Sequence, residues 1–197
     1  MSDSVIPIRR AERSDASDQA LLSACALGDN FALQELFQRH ADGVHGFLIR
    51  TRCVDSKDLD DIVQTTFIEV QRSAKHYDAR SSVNTWIIGI ALNIMRQYLR
   101  GERRRREAML RVAELPRSIG DDGLHDQVAH RQELERLRHR FETMPSNLRI
   151  VFTLIDLEGM SGGEAARLLK LREGTVWSRL HQAREALRQC VEGRGRP

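Results

Sequence analysis

Residues 84–100, N-T-W-I-I-G-I-A-L-N-I-M-R-Q-Y-L-R, carry two different stripes when they are read at the period of an α-helix. One stripe is apolar and wide enough to be buried, and consists of Ile87, Ile88, Ala91, Leu92, Ile94, Met95, Tyr98 and Leu99. The opposite stripe consists of Trp86, Gly89, Asn93, Arg96, Gln97 and Arg100. These groups can stack on a nucleic-acid base, let a backbone approach closely, hydrogen-bond to the edge of a base and bind phosphates. An ordinary amphipathic surface helix has the same pattern, so both interpretations stay open at this point.

The charge of the chain is unevenly distributed. The 197 residues, enough for one large domain or two small ones, carry a formal net charge of only +3, yet the isoelectric point is about 9.0. Residues 96–111 alone contain seven arginines and two glutamates. Such a local basic run indicates nucleic acid as a partner, although a solvated helix end is the simpler alternative.

Several classes of protein are disfavoured by the composition. The three cysteines are widely spaced, and no two of them form a C-x-x-C motif. This spacing argues against a zinc site and is typical of proteins in a reducing cytoplasm. No signal peptide or membrane span is recognisable, so we expect a cytoplasmic protein without membrane insertion. We find no nucleophile–base pair, paired carboxylates, phosphate-binding glycine loop or metal spacing. We therefore expect no enzyme activity, no catalytic residues, no metal and no cofactor.

The first domain is predicted to be a helical bundle over residues 18–106, after a disordered tail at 1–17. Asp29 is a plausible cap for a long core helix, and Ser56 for the next one, which ends near Ser73. The exposed side of that next helix carries Asp61, Gln64, Thr65 and Ile68. Ile68 is either a partner contact or one of the lone exposed apolar residues common on surfaces. Asn84 is expected to cap the helix described first.

The second domain is predicted over residues 128–190, after a flexible linker at 107–127 and before a tail at 191–197. Two of its helices should bury apolar faces on either side of Pro145, namely Leu134, Leu137 and Phe141, then Leu148, Val151, Phe152 and Ile155. Ser161 and Glu164 form a capping-box motif at the start of a short helix. A tight turn then leads to a last helix from Glu173 onward.

These last two helices have the pattern of a helix-turn-helix, whose second helix fits the major groove. Its exposed or marginal positions are Thr175, Trp177, Ser178, Arg179, His181, Gln182 and Arg184. Side chains of this type read base edges. A helical hairpin used only for packing is the alternative.

With both halves considered, residues 18–190 resemble the extracytoplasmic-function (ECF) sigma factors of the sigma-70 family. The matching motifs are D-I-V-Q-T-T-F-I at 61–68, T-W-I-I-G-I-A-L-N at 85–93, S-G-G-E-A-A at 161–166 and G-T-V-W-S-R-L-H-Q-A-R at 174–184. The resemblance implies an all-α protein with two small helical domains, sigma region 2 and sigma region 4, joined by a flexible linker. It also implies a protein that binds core RNA polymerase, recognises the −10 and −35 promoter elements and promotes DNA melting.

The resemblance assigns roles by motif position. Asp61, Gln64, Thr65 and Ile68 would bind the clamp of the largest polymerase subunit. Tyr77, Trp86, Asn93, Arg96 and Arg100 would bind the −10 element, with Tyr77 stacking on a flipped base and Asn93 reading its edge. The −35 element would be read by Thr175, Trp177, Ser178, Arg179, His181, Gln182 and Arg184. An anti-sigma factor is a further partner expected from the family, and association with the nucleoid would follow through polymerase.

The sequence departs from the family pattern at several positions. Trp177 and Gln182 stand where basic side chains are frequent, and Gln182 predicts an adenine where many relatives read guanine. Arg172 stands where a serine cap is common in the family, and Gly89 stands where a larger polar residue can occur. The competing interpretation is a DNA-binding regulator that never joins polymerase, but it leaves the stripes on the first domain without a purpose.

Overall fold

The computed structural model describes residues 16–110 and 128–192, and these residues form helices without any β-strand. The eight α-helices are α1 (Asp18–Ala26), α2 (Asn30–Thr51), α3 (Leu59–Ser73), α4 (Val83–Leu110), α5 (Val128–Thr143), α6 (Ser146–Phe152), α7 (Gly162–Leu169) and α8 (Glu173–Glu192). The predicted all-α fold is confirmed. Of the predicted tails at 1–17 and 191–197 and the predicted linker at 107–127, residues 1–15, 193–197 and 111–127 lie outside the described residues.

Contacts between Cα atoms divide the chain into two compact units. Among the described residues, the first unit contains 16–50 and 54–97, and the second contains 51–53, 98–110 and 128–192. Two helical domains are therefore present, as predicted. Helix α4 continues to Leu110, and the exact limits placed at residues 106 and 128 remain predictions. No helix within the two described ranges is long and apolar enough to cross a membrane.

Local capping sets the corner between α1 and α2. The Ser17 hydroxyl accepts a hydrogen bond from the Ala20 N–H and begins α1. Gly28 ends it with a φ of 91°, a left-handed conformation that glycine adopts without steric cost. The Asp29 carboxylate then accepts from the N–H groups of Phe31 and Ala32, at 2.9 and 3.2 Å. The prediction that Asp29 caps the long helix is confirmed.

Helix α2 is the centre of the first unit. Its apolar side chains Leu36, Val44, Phe47 and Leu48 are fully buried, as the helical period predicts. Asp18 on α1 accepts from Arg39 at 3.0 Å and lies 2.9 Å from the ring nitrogen of His40. His40 is therefore buried next to a polar partner and has a structural role.

Helix α3 packs along α2 and presents a well-defined outer face. The residues at helical spacing on its inner face are all buried: Leu59, Ile62, Val63, Thr66, Phe67 and Val70. The Phe37 and Phe67 rings meet edge to face with centroids 4.8 Å apart, and the Gln71 amide donates to the Asn30 side chain at 2.8 Å. These contacts hold the C-terminal half of α3, which carries Ile68, against the N-terminal part of α2.

Two predicted helix caps are wrong. Ser56 does not cap α3; it begins a short 3₁₀ turn that ends at Asp58, before the α-helix starts. Helix α4 begins at Val83, and Ser82 rather than Asn84 caps it, because the Ser82 hydroxyl accepts from the Thr85 N–H at 3.1 Å. Asn84 is consequently an exposed residue of the first turn.

The second unit has its own core. Met144, Leu148 and Ala183 are buried, and Phe141, Phe152, Ala186 and Leu187 pack against them. The α5 apolar face was predicted to include Leu134, which is wrong because Leu134 is 59% exposed. The face predicted to end at Ile155 also differs, since a wider π turn over Thr153–Leu157 shifts the register and buries Leu154 fully.

The helix-turn-helix consists of α7 and α8. Lys170 adopts a left-handed conformation with φ 55° and ends α7, and the Leu171 N–H donates to the Ala166 carbonyl at 3.0 Å. Side chains Ala165, Ala166, Leu169, Val176, Leu180 and Ala183 are buried. The inward face of α8 is thus buried, and Leu187, which continues it at helical spacing, is only partly buried.

The predicted capping box at the start of α7 is confirmed. The Ser161 hydroxyl accepts from the Glu164 N–H at 3.2 Å, and the Ser161 N–H donates to the Glu164 carboxylate at 3.0 Å. Hydrogen bonds from Ser161 lower the pKa of Glu164. Both bonds fix the first turn of α7, which is the first helix of the helix-turn-helix.

Ser161→Ala is expected to lower the free energy of unfolding by about 1 kcal/mol at neutral pH, because a helix cap is lost. The ionised Glu164 contributes above the ordinary glutamate pKa, and this contribution disappears as the pH falls through its lowered folded-state pKa. The difference in free energy of unfolding between Ser161→Ala and the parent should therefore become smaller in acid. Denaturant unfolding at two pH values measures it. Ser146→Ala is the control, since α6 has no side-chain cap bond; equal losses in both variants would contradict the assignment.

Candidate functional site

Four predicted site residues lie together on the outer face of α3. Asp61, Gln64, Thr65 and Ile68 occupy positions i, i+3, i+4 and i+7, and all four are exposed. Ile68 is 50% exposed although its neighbour Phe67 is buried. A half-exposed isoleucine framed by an acid, an amide and a hydroxyl on a rigid helix is suited to a protein partner.

The loop before α4 is ordered by its own side chains. The Tyr77 hydroxyl donates to the Ser81 carbonyl at 2.6 Å and closes the loop. Its ring meets Trp86 edge to face, with centroids 5.4 Å apart and an interplanar angle of 65°. The Asp78 carboxylate accepts from the Arg80 N–H at 3.2 Å. Tyr77 on the loop and Trp86 on α4, predicted to act together, are therefore in contact.

The polar stripe of α4 lies opposite its buried stripe, as predicted. Ile87, Ile88, Ala91, Leu92 and Met95 are buried, whereas Ile94, Tyr98 and Leu99 are only partly buried. On the other side Asn93 and Arg100 are exposed, and Trp86 and Arg96 are partly exposed. A line from Trp86 through Asn93 to Arg100 follows one face, because these residues are seven apart.

The distal part of α4 continues this surface as a charged helix. The Arg103 guanidinium pairs with Glu107 at 2.8 Å, and Arg105 pairs with Glu102. The Arg104 side chain donates to the Arg100 carbonyl at 3.3 Å. The helix, rather than a loop, thus carries the arginine run.

The outer face of α8 is divided between exposed and engaged side chains. Ser178, His181 and Gln182 are exposed one turn apart, and Thr175 and Arg179 are partly buried. Arg184 makes a two-point ion pair with Asp156 at 2.9 and 2.5 Å, which raises the pKa of its guanidinium. Arg184 therefore also ties α8 to the π turn.

Trp177 is 47% exposed, and its indole is also engaged within the protein. The Nε1–H donates to the Glu173 carboxylate at 3.2 Å. A Cβ atom placed on Gly162 would lie 2.6 Å from Trp177 Cζ2, so the ring lies directly against the glycine backbone. Sequence reasoning missed Gly162, Glu173 and Asp156; only the adjacent pair Gly162–Gly163 at a helix start signalled a close approach.

The predicted site residues described above lie on helix and loop surfaces. Within residues 16–110 and 128–192, no group of three or more His, Cys, Asp or Glu side chains is arranged to hold a metal ion. The cysteines of these ranges are free thiols, and burial raises the pKa of Cys25 to about 11, which keeps that thiol neutral.

Comparison with known proteins gives matches to both halves. Residues 36–105 match the family model described as Sigma-70 region 2, and residues 134–187 match that of Sigma-70, region 4. The ECF RNA polymerase sigma-E factor of Haemophilus influenzae is 32% identical over 184 residues, covering 89% of this chain and 96% of its own. The factor of the same name from Escherichia coli K12 is 31% identical over 183 residues, which cover 89% of this chain and 95% of that factor.

Solved structures agree with these matches. CnrH, solved in complex with the cytosolic domain of CnrY, has a TM-score of 0.62 and 26% identity, over 89% of this chain and 97% of that one. The sigma factor RpoE of Bartonella quintana, solved with the anti-sigma factor NepR, has a TM-score of 0.60 over 81% and 96%, and at 19% identity it supports the fold alone. From the matches of both regions and the identity to full-length relatives, we conclude that the chain belongs to the extracytoplasmic-function sigma factors of the sigma-70 family.

Proposed function

We propose that this sigma factor binds core RNA polymerase through α3, reads the −10 element with α4 and its preceding loop, and reads the −35 element with α8. The observation that carries the proposal is the presence, in one chain, of an exposed acid–amide–isoleucine stripe and a helix-turn-helix with an exposed polar outer face. The protein acts as a specificity subunit and performs no catalysis of its own.

Polymerase docking is assigned to the α3 stripe. Asp61, Gln64, Thr65 and Ile68 are all exposed, whereas the residues between them are buried. A partner that covers Ile68 removes an apolar side chain from water, and the flanking polar groups give the contact its orientation. The packing of Phe37 on Phe67 supports a rigid docking face.

The −10 surface is assigned to Tyr77, Trp86, Asn93, Arg96 and Arg100. Extruding a base from the duplex costs a few kcal/mol, and stacking on an aromatic side chain recovers about 1–3 kcal/mol per base. Tyr77 and Trp86 offer aromatic surface beside each other. Asn93 offers both a donor and an acceptor for a base edge, and Arg100 offers a charge for the backbone. Together these groups favour strand separation by binding the unpaired strand.

The −35 element is read in duplex form by α8, which enters the major groove with its N-terminal half. Ser178, His181 and Gln182 are the exposed groups that reach base edges, and Thr175, Arg179 and Arg184 lie at the margins. Because Arg184 is paired with Asp156, we assign it to orienting α8 while its guanidinium approaches the DNA backbone.

Gln182→Arg is expected to change the preferred base pair at one upstream position from one with adenine to one with guanine. Glutamine pairs with the N6 and N7 groups of adenine, and arginine pairs with O6 and N7 of guanine. A good pair of this kind gives about 1–3 kcal/mol of discrimination. Selection of promoter variants by the reconstituted holoenzyme measures the change.

A matched control for this substitution is Gln189→Arg, since Gln189 is exposed two turns further along α8 and is hydrogen bonded to Glu185. It adds the same charge to the same helix and should leave the base preference unchanged. An unaltered preference in Gln182→Arg, or the same shift in both variants, would refute the assignment of Gln182.

An anti-sigma factor is the regulatory partner we propose. The solved relative RpoE was captured with an anti-sigma factor, and CnrH with the cytosolic domain of CnrY. We place the protein in the cytoplasm, associated with the nucleoid through polymerase.

A pull-down with purified core polymerase tests the proposed function against the alternative of a DNA-binding regulator. We expect stoichiometric capture of the full chain. Duplex binding without any capture by core polymerase would favour the regulator instead.

A further inference from the structure

The N-terminus of α7 holds a contact that the family assignment leaves unexplained. Gly162 and Gly163 are the first two residues of that helix, and the ring of Trp177 and the carboxylate of Glu173 lie across them. A Cβ on Gly162 would lie 2.6 and 2.7 Å from two atoms of the indole and 2.9 Å from Glu173 Oε1. Distances below 3.0 Å are far inside van der Waals contact, so no side chain fits there while Trp177 keeps its position.

The requirement for glycine at position 162 comes from this close approach. Its φ is not in the left-handed region, and it follows a well-formed cap at Ser161, so the backbone conformation itself accepts any residue. Gly163 has a different environment, because a Cβ there would meet its nearest neighbours, Arg167 and Glu173, at 3.8 and 4.0 Å. The contact thus depends on one glycine of the pair.

The indole has only one hydrogen-bond donor, and that donor is used inside the protein. Trp177 Nε1–H donates to Glu173 at 3.2 Å, one turn back along α8. The bond fixes the ring against Gly162 rather than across the groove-facing side chains. Trp177, Glu173 and Gly162 together form a clasp, the name used below, between the two helices of the helix-turn-helix.

We infer that Trp177 is a positioning residue, which sets how the N-terminal half of α8 is held on α7 through the clasp, and does not select a base itself. The inference rests on the proposed reading of the upstream element by α8. Ser178 follows Trp177 directly, and Gln182 lies on the same outer face, so a displaced clasp misplaces every base-reading group together. A direct reader would instead control a single base pair.

The test uses the full chain with core polymerase and measures preference for the upstream element by competition between promoter variants. Gly162→Ala should lower this preference about tenfold, because the added methyl group overlaps the Trp177 ring and displaces it from α7. Trp177→Ala should lower it by a similar factor at all positions read by α8. The double variant should be no worse than Trp177→Ala alone, because both changes break the same contact.

Gly163→Ala is the matched control, and it should keep the parent preference because the added methyl meets only ordinary contacts. Glu173→Gln keeps an oxygen acceptor for the indole and should retain the preference, whereas Glu173→Ala should reduce it. Tryptophan emission gives an independent readout, since only two tryptophans exist. The emission of Gly162→Ala should shift to the red as Trp177 enters water.

The outcomes separate the inference from the proposed function. A parent holoenzyme without upstream preference overturns both. A parent with preference that Gly162→Ala leaves intact, or a Trp177→Ala variant altered at one base pair alone, overturns only the positioning role. Should Gly162→Ala fail to fold, the Trp177→Ala and Glu173 variants still decide between positioning and direct reading.

Discussion

Ile68→Asp is expected to weaken the binding of this protein to core RNA polymerase by at least about 30-fold, which corresponds to the roughly 2 kcal/mol of a hot-spot residue. The substitution removes apolar contact area and brings a carboxylate without a partner charge into a desolvated interface. A titration of labelled core polymerase with the variant measures the loss directly. Upstream duplex binding by the second domain should persist.

The fold of the variant should survive, because Ile68 is already half exposed and points away from the buried face of α3. Aspartate within a helix costs about 0.7 kcal/mol or less in propensity. Ile49→Asp is a matched control, since Ile49 is 39% exposed on α2 and lies outside the α3 stripe. Binding of Ile68→Asp at the parent affinity, or equal losses in both variants, would remove the docking assignment.

Asn93→Ala is expected to reduce the formation of open promoter complexes by about 10- to 100-fold while binding to core polymerase stays unchanged. Loss of a base-edge contact of this kind costs about 1–3 kcal/mol. Asn93 is exposed on α4, so its removal leaves no cavity in the first unit. Reactivity of unpaired thymines in the promoter, measured over time with reconstituted holoenzyme, reports the open complex.

Two controls sharpen this experiment. Gln97→Ala removes an exposed amide one turn further along α4 and should retain most of the activity. A promoter that is already mismatched across the −10 element removes the cost of unpairing, so the parent should open it faster. On that promoter, Asn93→Ala should still discriminate poorly between bases at the flipped position. Normal open-complex formation by Asn93→Ala would show that Asn93 does not read the base.

Most helices could be predicted from the sequence because each has a continuous apolar stripe at helical spacing. The buried face of α3 and the two stripes of α4 follow from this period alone, and the cap at Asp29 and the box at Ser161 and Glu164 follow from local hydrogen-bonding chemistry. The family resemblance added the order of the two domains. The roles of individual site residues rest on that resemblance and stay predictions.

Other features could not be predicted, for identifiable physical reasons. Ser82 and Asn84 are both good helix caps, and only the path of the loop after Tyr77 decides between them. The π turn after Phe152 has no sequence signature, so the burial of Leu154 in place of Ile155 was missed. The pairing of Arg184 with Asp156 joins residues 28 apart in sequence, which no local pattern records.

The most direct test of the account is run-off transcription by core polymerase, with and without this protein, on a library of promoters. We expect RNA chains to start selectively at one class of sequence that shares an upstream and a downstream element, and only when the protein is present. Transcripts distributed over the library as core polymerase alone distributes them would contradict the account.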